Sequence, residues 1–390
     1  MRLNHPIKLL QHQSVINSVR NNLETVNDRL PHPPIHVRIE PTESCNFKCR
    51  FCWWHDSDRK KEILDTADLT GKRQLDQIRL KQLVEEFSAI GVRAISFTGA
   101  GDPLVYPSLH EIISLIRKHQ IKVGVTSNLA MPLKNEAINQ IAKMQWLRWS
   151  LNAGTTQGYS IVNQPTEAVP GTSFERAKNN LRHIIRLRDS LKTGLKVTAS
   201  YVVTNENQNE LTQAVEMVSA IGADAITFRP DTHYQRGISV IQLTDDFENR
   251  IQQLKTQYAS EKLKISGGIE RLEDNALIYD REMVCLYSNY STYISASGDV
   301  YPCCYTRHDR KYAIGNINQQ RFSEFWASEP RMDNYKRLQV TQCPSCPHVA
   351  TNQYLRELKH ILEASGNESH SRNHRNNISD PVLVDTDDFV

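Results

Sequence analysis

The sequence predicts an α/β fold in which a parallel sheet is curled into a barrel or an incomplete barrel, followed by a smaller second domain. Up to about residue 275, short apolar or β-branched runs alternate with segments of helical periodicity, and this alternation is typical of parallel strands joined by crossover helices. A cysteine-rich pattern with short strands and turns replaces it afterwards. The 390 residues, 39% of them hydrophobic, are enough for one large core and a small one.

Six short apolar or β-branched runs are predicted to be strands. They are IHVRIE (35–40), VRAISFTG (92–99), IKVGVTSN (121–128), WLRWSLNA (146–153), LKVTASYVV (195–203) and DAITFRP (224–230). In a parallel barrel the chemistry lies at the carboxyl ends of the strands. The loops that follow these six runs are therefore the candidate functional site.

Helical periodicity predicts the connecting elements, with Gly222 as a C-cap after the last of them. The segments are 80–91, 108–119, 173–189 and 210–222. An amphipathic helix is expected near the start, broken by PHPP at 31–34, and another helix at 352–364. The predicted divisions are an N-terminal helical extension at 1–34, the barrel at 35–275, the second domain at 276–362 and a disordered polar tail at 363–390.

Composition excludes several classes of function. Lys and Arg total 47 against 44 for Asp and Glu, a net charge of +3, and the basic residues are scattered, so no nucleic-acid partner is expected. No stretch approaches the roughly 20 apolar residues that span a bilayer, and the first thirty residues contain no apolar signal core. We therefore expect a cytoplasmic protein without a membrane partner. In a reducing compartment, eight clustered cysteines indicate metal binding or catalysis rather than disulfides.

Three cysteines follow the first predicted strand within ESCNFKCRFCWW (43–54), namely Cys45, Cys49 and Cys52. Three thiolates at this spacing can bind three corners of a [4Fe–4S] cluster and leave one iron open for a substrate. The alternative is structural zinc, because His55 lies three residues beyond Cys52 and could complete a Cys₃His site. Taken alone, the spacing leaves both metals open.

The triplet resembles the signature of the radical S-adenosyl-L-methionine (SAM) superfamily, Cys-x₃-Cys-x-aromatic-Cys, with Phe51 as the aromatic residue. The resemblance implies a partial (βα)₆ TIM-like barrel. It also implies that the open iron is chelated by the amino and carboxylate groups of SAM, and that the reduced cluster cleaves SAM to a 5′-deoxyadenosyl radical that abstracts hydrogen from the substrate. An electron donor such as a flavodoxin or a ferredoxin is the implied partner.

Further loops resemble SAM-binding segments of the same family. TGAGDP (98–103) is similar to the Gly-Gly-Glu-Pro segment, with Asp in place of Glu, and SLNAG (150–154) is similar to Ser-Leu-Asp-Ala, with Asn in place of Asp. TSN (126–128) occupies a position where the family places polar side chains near the methionine part of SAM. Each loop alone is also compatible with an ordinary strand-to-helix turn. Arg229, at the end of the sixth predicted strand, is also compatible with a structural ion pair. The implied SAM contacts are Gly99, Gly101, Asp102, Ser127, Asn128, Asn152 and Arg229.

The remaining cysteines resemble the short "twitch" form of the SPASM extension, which carries one auxiliary [4Fe–4S] cluster. A hairpin turn at SGD, around Gly298, is expected to bring the first two of these cysteines to the same end. A four-cysteine zinc ribbon is the alternative. The implied ligands are Cys285, Cys303, Cys343 and Cys346, so that two clusters use seven thiols and leave Cys304 over.

The resemblance implies the type of mechanism but does not identify the substrate. Twitch-bearing relatives act on amino sugars or cyclitols, whereas SPASM relatives modify ribosomally made peptides. Because only about 35 residues precede the first strand, too few for a leader-binding module, a small polar substrate that is oxidised or epimerised is favoured, with a peptide as the alternative. A zinc-stabilised binding protein without turnover is a third possibility from a different class.

Cys304 has three possible roles. It is a small buried residue beside a ligand, or it exchanges with Cys303 as the ligand, or it is a thiol that donates hydrogen to a substrate radical in an epimerase. Adjacent residues in an extended segment point to opposite faces, so Cys304 is expected to point away from the cluster of Cys303. Oxidation or another outcome without epimerisation is therefore favoured.

Overall fold

The computed structural model describes residues 13–21, 32–55, 73–167, 171–231, 247–268, 285–329, 331 and 348–367. Its strands are β1 (His36–Ile39), β2 (Ala94–Phe97), β3 (Lys122–Ser127), β4 (Trp146–Ser150), β5 (Lys196–Val203), β6 (Ala225–Pro230), β7 (Lys264–Gly267), β8 (Ser291–Ile294), β9 (Asp299–Tyr301) and β10 (Gly315–Asn316). Its helices are α1 (Gln13–Asn21), α2 (Gln77–Ile90), α3 (Leu109–Lys118), α4 (Asn135–Ile141), α5 (Thr156–Asn163), α6 (Thr172–Leu191), α7 (Leu211–Ile221), α8 (Phe247–Tyr258), α9 (Phe322–Ala327) and α10 (Val349–Asn367).

All ten strands lie in one sheet, in the order β10-β9-β8-β1-β2-β3-β4-β5-β6-β7. Strands β1 to β7 pair in parallel with their neighbours, which confirms the predicted α/β class and all six predicted strands. The four-residue β7 extends the sheet beyond the prediction. Strand β8 pairs in parallel with the free side of β1, and β9 and β10 follow as antiparallel strands. The C-terminal cysteine region therefore shares a sheet with the barrel.

The two faces of the sheet differ in chemistry because alternate strand residues point to opposite sides. One face joins the main hydrophobic core with residues of α2, α3, α6 and α7; examples from the strands are Val37, Ile39, Ile95, Phe97, Val123, Val125, Leu147, Trp149, Val197 and Phe228. The alternate positions are largely polar, namely Arg38, Ser96, Thr126, Arg148, Ser150, Thr198, Ser200, Thr227 and Arg229. Helices cover the outside of a βα barrel, so the polar face lines its inside, where a polar substrate can be held.

The predicted helix boundaries follow local capping chemistry. Helix α2 begins after Asp76, whose carboxylate accepts a hydrogen bond from the Arg79 backbone N–H at 2.8 Å, and it ends at Gly91 in the left-handed conformation. Gly222 ends α7 in the same way, as predicted, with φ of 89°. These caps satisfy backbone groups that the helix ends leave without partners.

The two ends of the described chain pack together. Helices α1 and α10 contact each other, and Val15, Val19 and Leu355 form a hydrophobic cluster with Ile35 and residues 286–290. Helix α10 continues to Asn367, within the segment predicted as a tail, and the rest of that segment lies outside the described residues. The predicted boundary between 275 and 276 also lies outside them. In the described residues, no helix has the length and apolar character needed to cross a membrane.

The hairpin between β8 and β9 yields a stability prediction. Gly298 has φ of 84°, and a Cβ there would displace the Asn318 side chain, whose amide donates to the Ser297 carbonyl. Gly298→Ala should lower the free energy of unfolding by about 1–2 kcal/mol for the left-handed backbone and by about 1 kcal/mol more for the lost hydrogen bond. Urea unfolding of this variant and of the parent chain measures the loss.

Gly194→Ala is the matched control, because Gly194 has φ of 77° and an added Cβ has nothing within 4 Å. It should show only the backbone cost. Equal losses in the two variants would mean that the hairpin turn is not packed as described.

Candidate functional site

The loop that carries the first three cysteines is held by backbone contacts at both ends. Thr42 and Phe47 form isolated β-bridges with Gln74 and Pro165, and the backbone N–H groups of residues 48 and 50 donate to carbonyls at the end of α5. The Phe47 ring is buried and packs edge-on against Tyr159. We call residues 42–55 the first cysteine loop. Its backbone is fixed by neighbouring elements, as a preformed cluster site requires.

The three thiols face one another across this loop. Burial raises the pKa of the Cys45 thiol to about 12, with the nearby Asp102 carboxylate adding to the effect. Burial and the two neighbouring cysteines raise the pKa of Cys49 well above its usual value. In the described part of the chain, no three cysteine sulfurs lie within 4.8 Å of one another.

His55, the alternative zinc ligand, is exposed, and its backbone N–H donates to the Cys52 carbonyl in a turn. Phe51 is partly buried within the same loop. Cys52 packs with Trp53, Trp54 and Ala100, so this end of the loop touches the loop that follows β2. The first cysteine loop therefore meets the predicted SAM-binding segment directly.

Asn128 and Asn152 connect strand ends to the first cysteine loop. The Asn128 amide N–H contacts the Cys45 sulfur at 4.0 Å and donates to the Asn46 side chain at 2.8 Å. Asn152 donates to Asn163, whose Oδ1 lies 3.7 Å from the Cys49 sulfur. N–H groups directed at ligand sulfurs orient and tune iron–sulfur clusters. Both asparagines were predicted near SAM. In the structure the Asn128 N–H contacts the Cys45 sulfur, whereas Asn152 is linked to Cys49 only through Asn163, whose Oδ1 accepts from the Cys49 thiol.

The Asp102 carboxylate is committed to protein donors. It is 5% exposed and accepts hydrogen bonds from the Ser127 hydroxyl, the Asn128 N–H at 2.7 Å and the Leu104 N–H at 2.9 Å. Burial raises its pKa, and these donors offset only part of that effect. The Asp102 carboxylate and the Ser127 hydroxyl, both predicted as SAM contacts, join the loops that follow β2 and β3.

Gly99 and Gly101 allow two protein segments to approach each other. A Cβ at Gly101 would overlap the carbonyl oxygens of Thr42 and Ser44, and the next N–H, that of Asp102, donates to Ser44 at 3.0 Å. A Cβ at Gly99 would overlap the side chain of the residue that follows β1, Glu40. The sequence interpretation assigned this space to SAM. In the structure, the base of the first cysteine loop packs against Gly101, and the Glu40 side chain packs against Gly99.

Arg229 lies at the carboxyl end of β6, as predicted. It is partly buried, and its guanidinium donates to the Ser200 hydroxyl on β5 at 2.7 Å. Both residues belong to the polar face of the sheet. This position is compatible with an anionic group inside the barrel.

A second cysteine site lies beside β8 and α10. Cys285 and Cys303 pack against the same hydrophobic cluster, so the hairpin brings them to one region, as predicted. The Asn352 amide contacts the Cys285 sulfur at 3.9 Å, and the Tyr305 backbone N–H donates to the Cys303 sulfur at 3.4 Å. Burial raises the pKa of Cys285. The other two predicted ligands, at positions 343 and 346, lie outside the described residues.

Cys304 lies on a different side from its neighbour. It packs with three buried tyrosines, Tyr293, Tyr301 and Tyr312, whereas Cys303 packs with the cluster near Cys285. The guanidinium of residue 307 donates to the Cys304 carbonyl. The two adjacent side chains therefore enter different environments, although they lie in a turn after β9 and not in the extended segment that the prediction assumed.

The sequence interpretation missed a buried carboxylate next to these loops. Glu40 directly follows β1, is fully buried, and accepts hydrogen bonds from the Tyr293 hydroxyl at 2.6 Å and His308 Nε2 at 3.0 Å. Its register on the polar face, after His36 and Arg38, is the signal that could have identified it. No local pattern marks His308, because it meets Glu40 only through the fold.

The first cysteine loop and the second cysteine site correspond to two known domains. Residues 39–218 match the radical SAM superfamily, and residues 285–347 match the SPASM iron–sulfur cluster-binding domain. These domains imply SAM with a [4Fe–4S] cluster and auxiliary iron–sulfur ligation. Both cysteine sites fit such cofactors, because protein N–H groups are directed at cysteine sulfurs in each site.

Known relatives share the fold at low identity. The PqqA peptide cyclase of Gluconobacter oxydans is 22% identical over 312 residues, covering 79% of this chain and 80% of that enzyme. The dTDP-4-amino-4,6-dideoxy-D-glucose ammonia-lyase of Streptomyces venezuelae is 22% identical over 224 residues, covering 57% of this chain and 42% of that enzyme. Streptococcus suis SuiB bound to its precursor peptide SuiA superposes with a TM-score of 0.58 at 16% identity, covering 86% of this chain and 73% of SuiB. The chain therefore belongs to the radical SAM superfamily and carries a C-terminal SPASM-type iron–sulfur domain.

Proposed function

We propose that Cys45, Cys49 and Cys52 hold the [4Fe–4S] cluster that binds SAM, and that Cys285 and Cys303, with Cys343 and Cys346, hold one auxiliary cluster. When bound, the first cluster and SAM supply a 5′-deoxyadenosyl radical that abstracts hydrogen from the substrate. The observation that supports this assignment is that protein N–H groups are directed at cysteine sulfurs in both sites, from Asn128 at Cys45 and from Asn352 at Cys285. Electrons come from a donor such as a flavodoxin or a ferredoxin.

We infer that the substrate is a peptide. The similarity to the PqqA peptide cyclase covers about four fifths of both chains, whereas the match to the amino-sugar ammonia-lyase covers less than half of that enzyme. The sequence alone favours a small substrate because few residues precede β1, and relatives of both kinds match this chain. The described residues of that segment, in α1, pack beside the second cysteine site. An amino sugar is the second candidate, supported by the same ammonia-lyase match.

We propose oxidation rather than epimerisation as the outcome. Oxidation of a substrate radical would release one electron and one proton; the auxiliary cluster held by Cys285 and Cys303 would supply the electron acceptor, and a base would take the proton. An epimerase needs a thiol that returns a hydrogen atom. The packing of Cys304 among three tyrosines supports a structural role for that thiol.

The assignment of the first cluster predicts a specific loss of iron. Replacing Cys45, Cys49 and Cys52 with Ala should leave about four irons per chain instead of about eight, because only the auxiliary cluster would remain. Formation of 5′-deoxyadenosine from SAM should stop. Iron analysis and chromatography of anaerobically reconstituted protein measure both outcomes.

Cys304→Ala is the control and should retain about eight irons, since this residue is not a proposed ligand. SAM cleavage at the normal rate in the triple variant would contradict the assignment. A reconstituted protein that is colourless and contains zinc would contradict it as well.

Gly101 tests the contact between the two loops. In Gly101→Ala the added Cβ would meet the carbonyl oxygens of Thr42 and Ser44, so the first cysteine loop must shift. We expect the variant to lose roughly half of its iron and to lose the ability to cleave SAM. Iron content after reconstitution is the measurement.

Gly91→Ala serves as a comparison, because a Cβ at Gly91 has nothing within 4 Å. It should keep its iron despite its strained backbone. If Gly101→Ala instead kept its full iron content but bound SAM weakly, SAM rather than the first cysteine loop would lie against Gly101.

The substrate class is tested with the peptides encoded beside the gene. Each peptide is incubated with reduced enzyme and SAM, and 5′-deoxyadenosine and peptide mass are recorded. A peptide substrate should raise 5′-deoxyadenosine above the substrate-free rate and should lose two hydrogens. Stimulation by a nucleotide-linked amino sugar and by none of these peptides would contradict the peptide proposal, and unchanged mass with solvent deuterium incorporated would contradict oxidation.

A further inference from the structure

One buried carboxylate oxygen beside the first cysteine loop lacks a hydrogen-bond partner. Oε2 of Glu40 accepts three hydrogen bonds, from the Tyr293 hydroxyl at 2.6 Å, the Ala100 N–H at 2.8 Å and His308 Nε2 at 3.0 Å. Oε1 of the same carboxylate is buried and has no partner among the residues that the structure describes. A buried polar atom without a partner is energetically costly, so its presence indicates a missing donor.

The location of this carboxylate restricts what the donor can be. The Ala100 N–H that binds Glu40 belongs to the loop that follows β2, and Ala100 itself packs with Cys52 and Trp54. Gly99 lacks a side chain at the point where the Glu40 side chain passes. The carboxylate therefore lies where the first cysteine loop meets the 99–101 loop.

The charge of Glu40 favours a donor that is cationic or strongly polarised. Burial alone would raise the pKa of this carboxyl, but His308, Tyr293 and the Ala100 N–H outweigh it and hold the pKa below its usual value. Glu43, three residues further on, is equally buried but pairs with the Arg73 guanidinium at 2.8 Å and with the Arg73 backbone N–H. Of the two carboxylates, Glu40 is the one with an oxygen left to bind a ligand.

A metal ion is the competing occupant, because one ligand atom from each of Glu40, Glu43 and His308 lies within 4.8 Å of the others. Two of these three ligands are already engaged. Arg73 neutralises Glu43, and His308 Nε2 is bonded to Glu40. A single N–H donor fits the one open oxygen without breaking either interaction.

The residue that the sequence assigned to the SAM amino group does not offer an open oxygen. Both oxygens of the Asp102 carboxylate accept protein donors, from Ser127, Asn128 and Leu104. Glu40 and Asp102 flank the same short loop, and of their carboxylate oxygens only Oε1 of Glu40 has no donor among the described residues.

We propose that Oε1 of Glu40 accepts a hydrogen bond from the amino group of SAM and so fixes the end of the cofactor that binds iron. The proposal rests on the assignment of the SAM cluster to Cys45, Cys49 and Cys52. Glu40 acts here as a binding residue in direct contact with the cofactor. Tyr293 and His308 orient it from the C-terminal part of the chain.

Glu40→Gln tests this role because it is isosteric. The amide oxygen of the new side chain can keep the three hydrogen bonds from Tyr293, Ala100 and His308, while its NH₂ group replaces the open oxygen and faces the amino group of SAM. We expect SAM affinity to fall at least about tenfold, the loss expected for a hydrogen bond to a charged group, with iron content unchanged. Equilibrium dialysis of reconstituted protein with labelled SAM gives the affinity.

An analogue of SAM that lacks only the amino group, the sulfonium S-adenosyl-4-(methylthio)butanoate, separates direct contact from a structural effect. Its affinity should be the same for the parent enzyme and for Glu40→Gln. Glu43→Gln is the matched control: it removes an equally buried charge whose oxygens are taken by Arg73, so it should lower stability and leave SAM affinity within about twofold.

The proposal is overturned if Glu40→Gln binds SAM with unchanged affinity, or if its affinity for SAM and for the analogue falls equally. Loss of iron in Glu40→Gln would also overturn it, because Glu40 would then hold the loops rather than the cofactor. Failure of the cluster assignment itself gives a different result, because the parent enzyme would then show no iron-dependent SAM binding.

Discussion

Strand β1 pairs in parallel with β2 on one side and with β8 on the other, and both cysteine sites depend on this arrangement. The first cysteine loop leaves the carboxyl end of β1, while the hairpin that carries Cys303 begins at β8. Because backbone hydrogen bonds fix the register of all three strands, the two sites cannot shift independently. A four-residue strand thus sets the relation between the proposed SAM cluster and the proposed auxiliary cluster.

Polar side chains around β1 perform structural tasks that would be costly elsewhere in a core. Asp102 joins two strand-end loops, Asn152 and Asn163 reach the thiol of Cys49, and Glu40 joins the β2 loop to the C-terminal part of the chain. Buried polar groups are tolerated when their partners are complete, and a complete network specifies one geometry. The one open atom in this set, Oε1 of Glu40, is therefore informative about what binds there.

Local pattern predicted the elements well, and long-range contact explains what it missed. The six strands, the Gly222 cap and the hairpin turn at Gly298 depend on neighbouring residues, so the sequence contains their signals. The pairing of β8 with β1 and the contact of Glu40 with His308 join residues more than 250 positions apart, and no local pattern encodes them. The roles of Gly101 and Asp102 were assigned to SAM because the family motif names the residue types. Only the packing shows that Gly101 faces the backbone of the first cysteine loop.

The central claim is that only the first cysteine loop binds a SAM-accessible cluster, while the second site holds a cluster whose irons are all ligated by protein. Electron paramagnetic resonance of the reduced, reconstituted wild-type enzyme, recorded with and without SAM, tests it most directly. We expect two overlapping cluster signals, one of which changes on addition of SAM while the other does not. A spectrum in which SAM alters neither signal, or alters both, would contradict the claim.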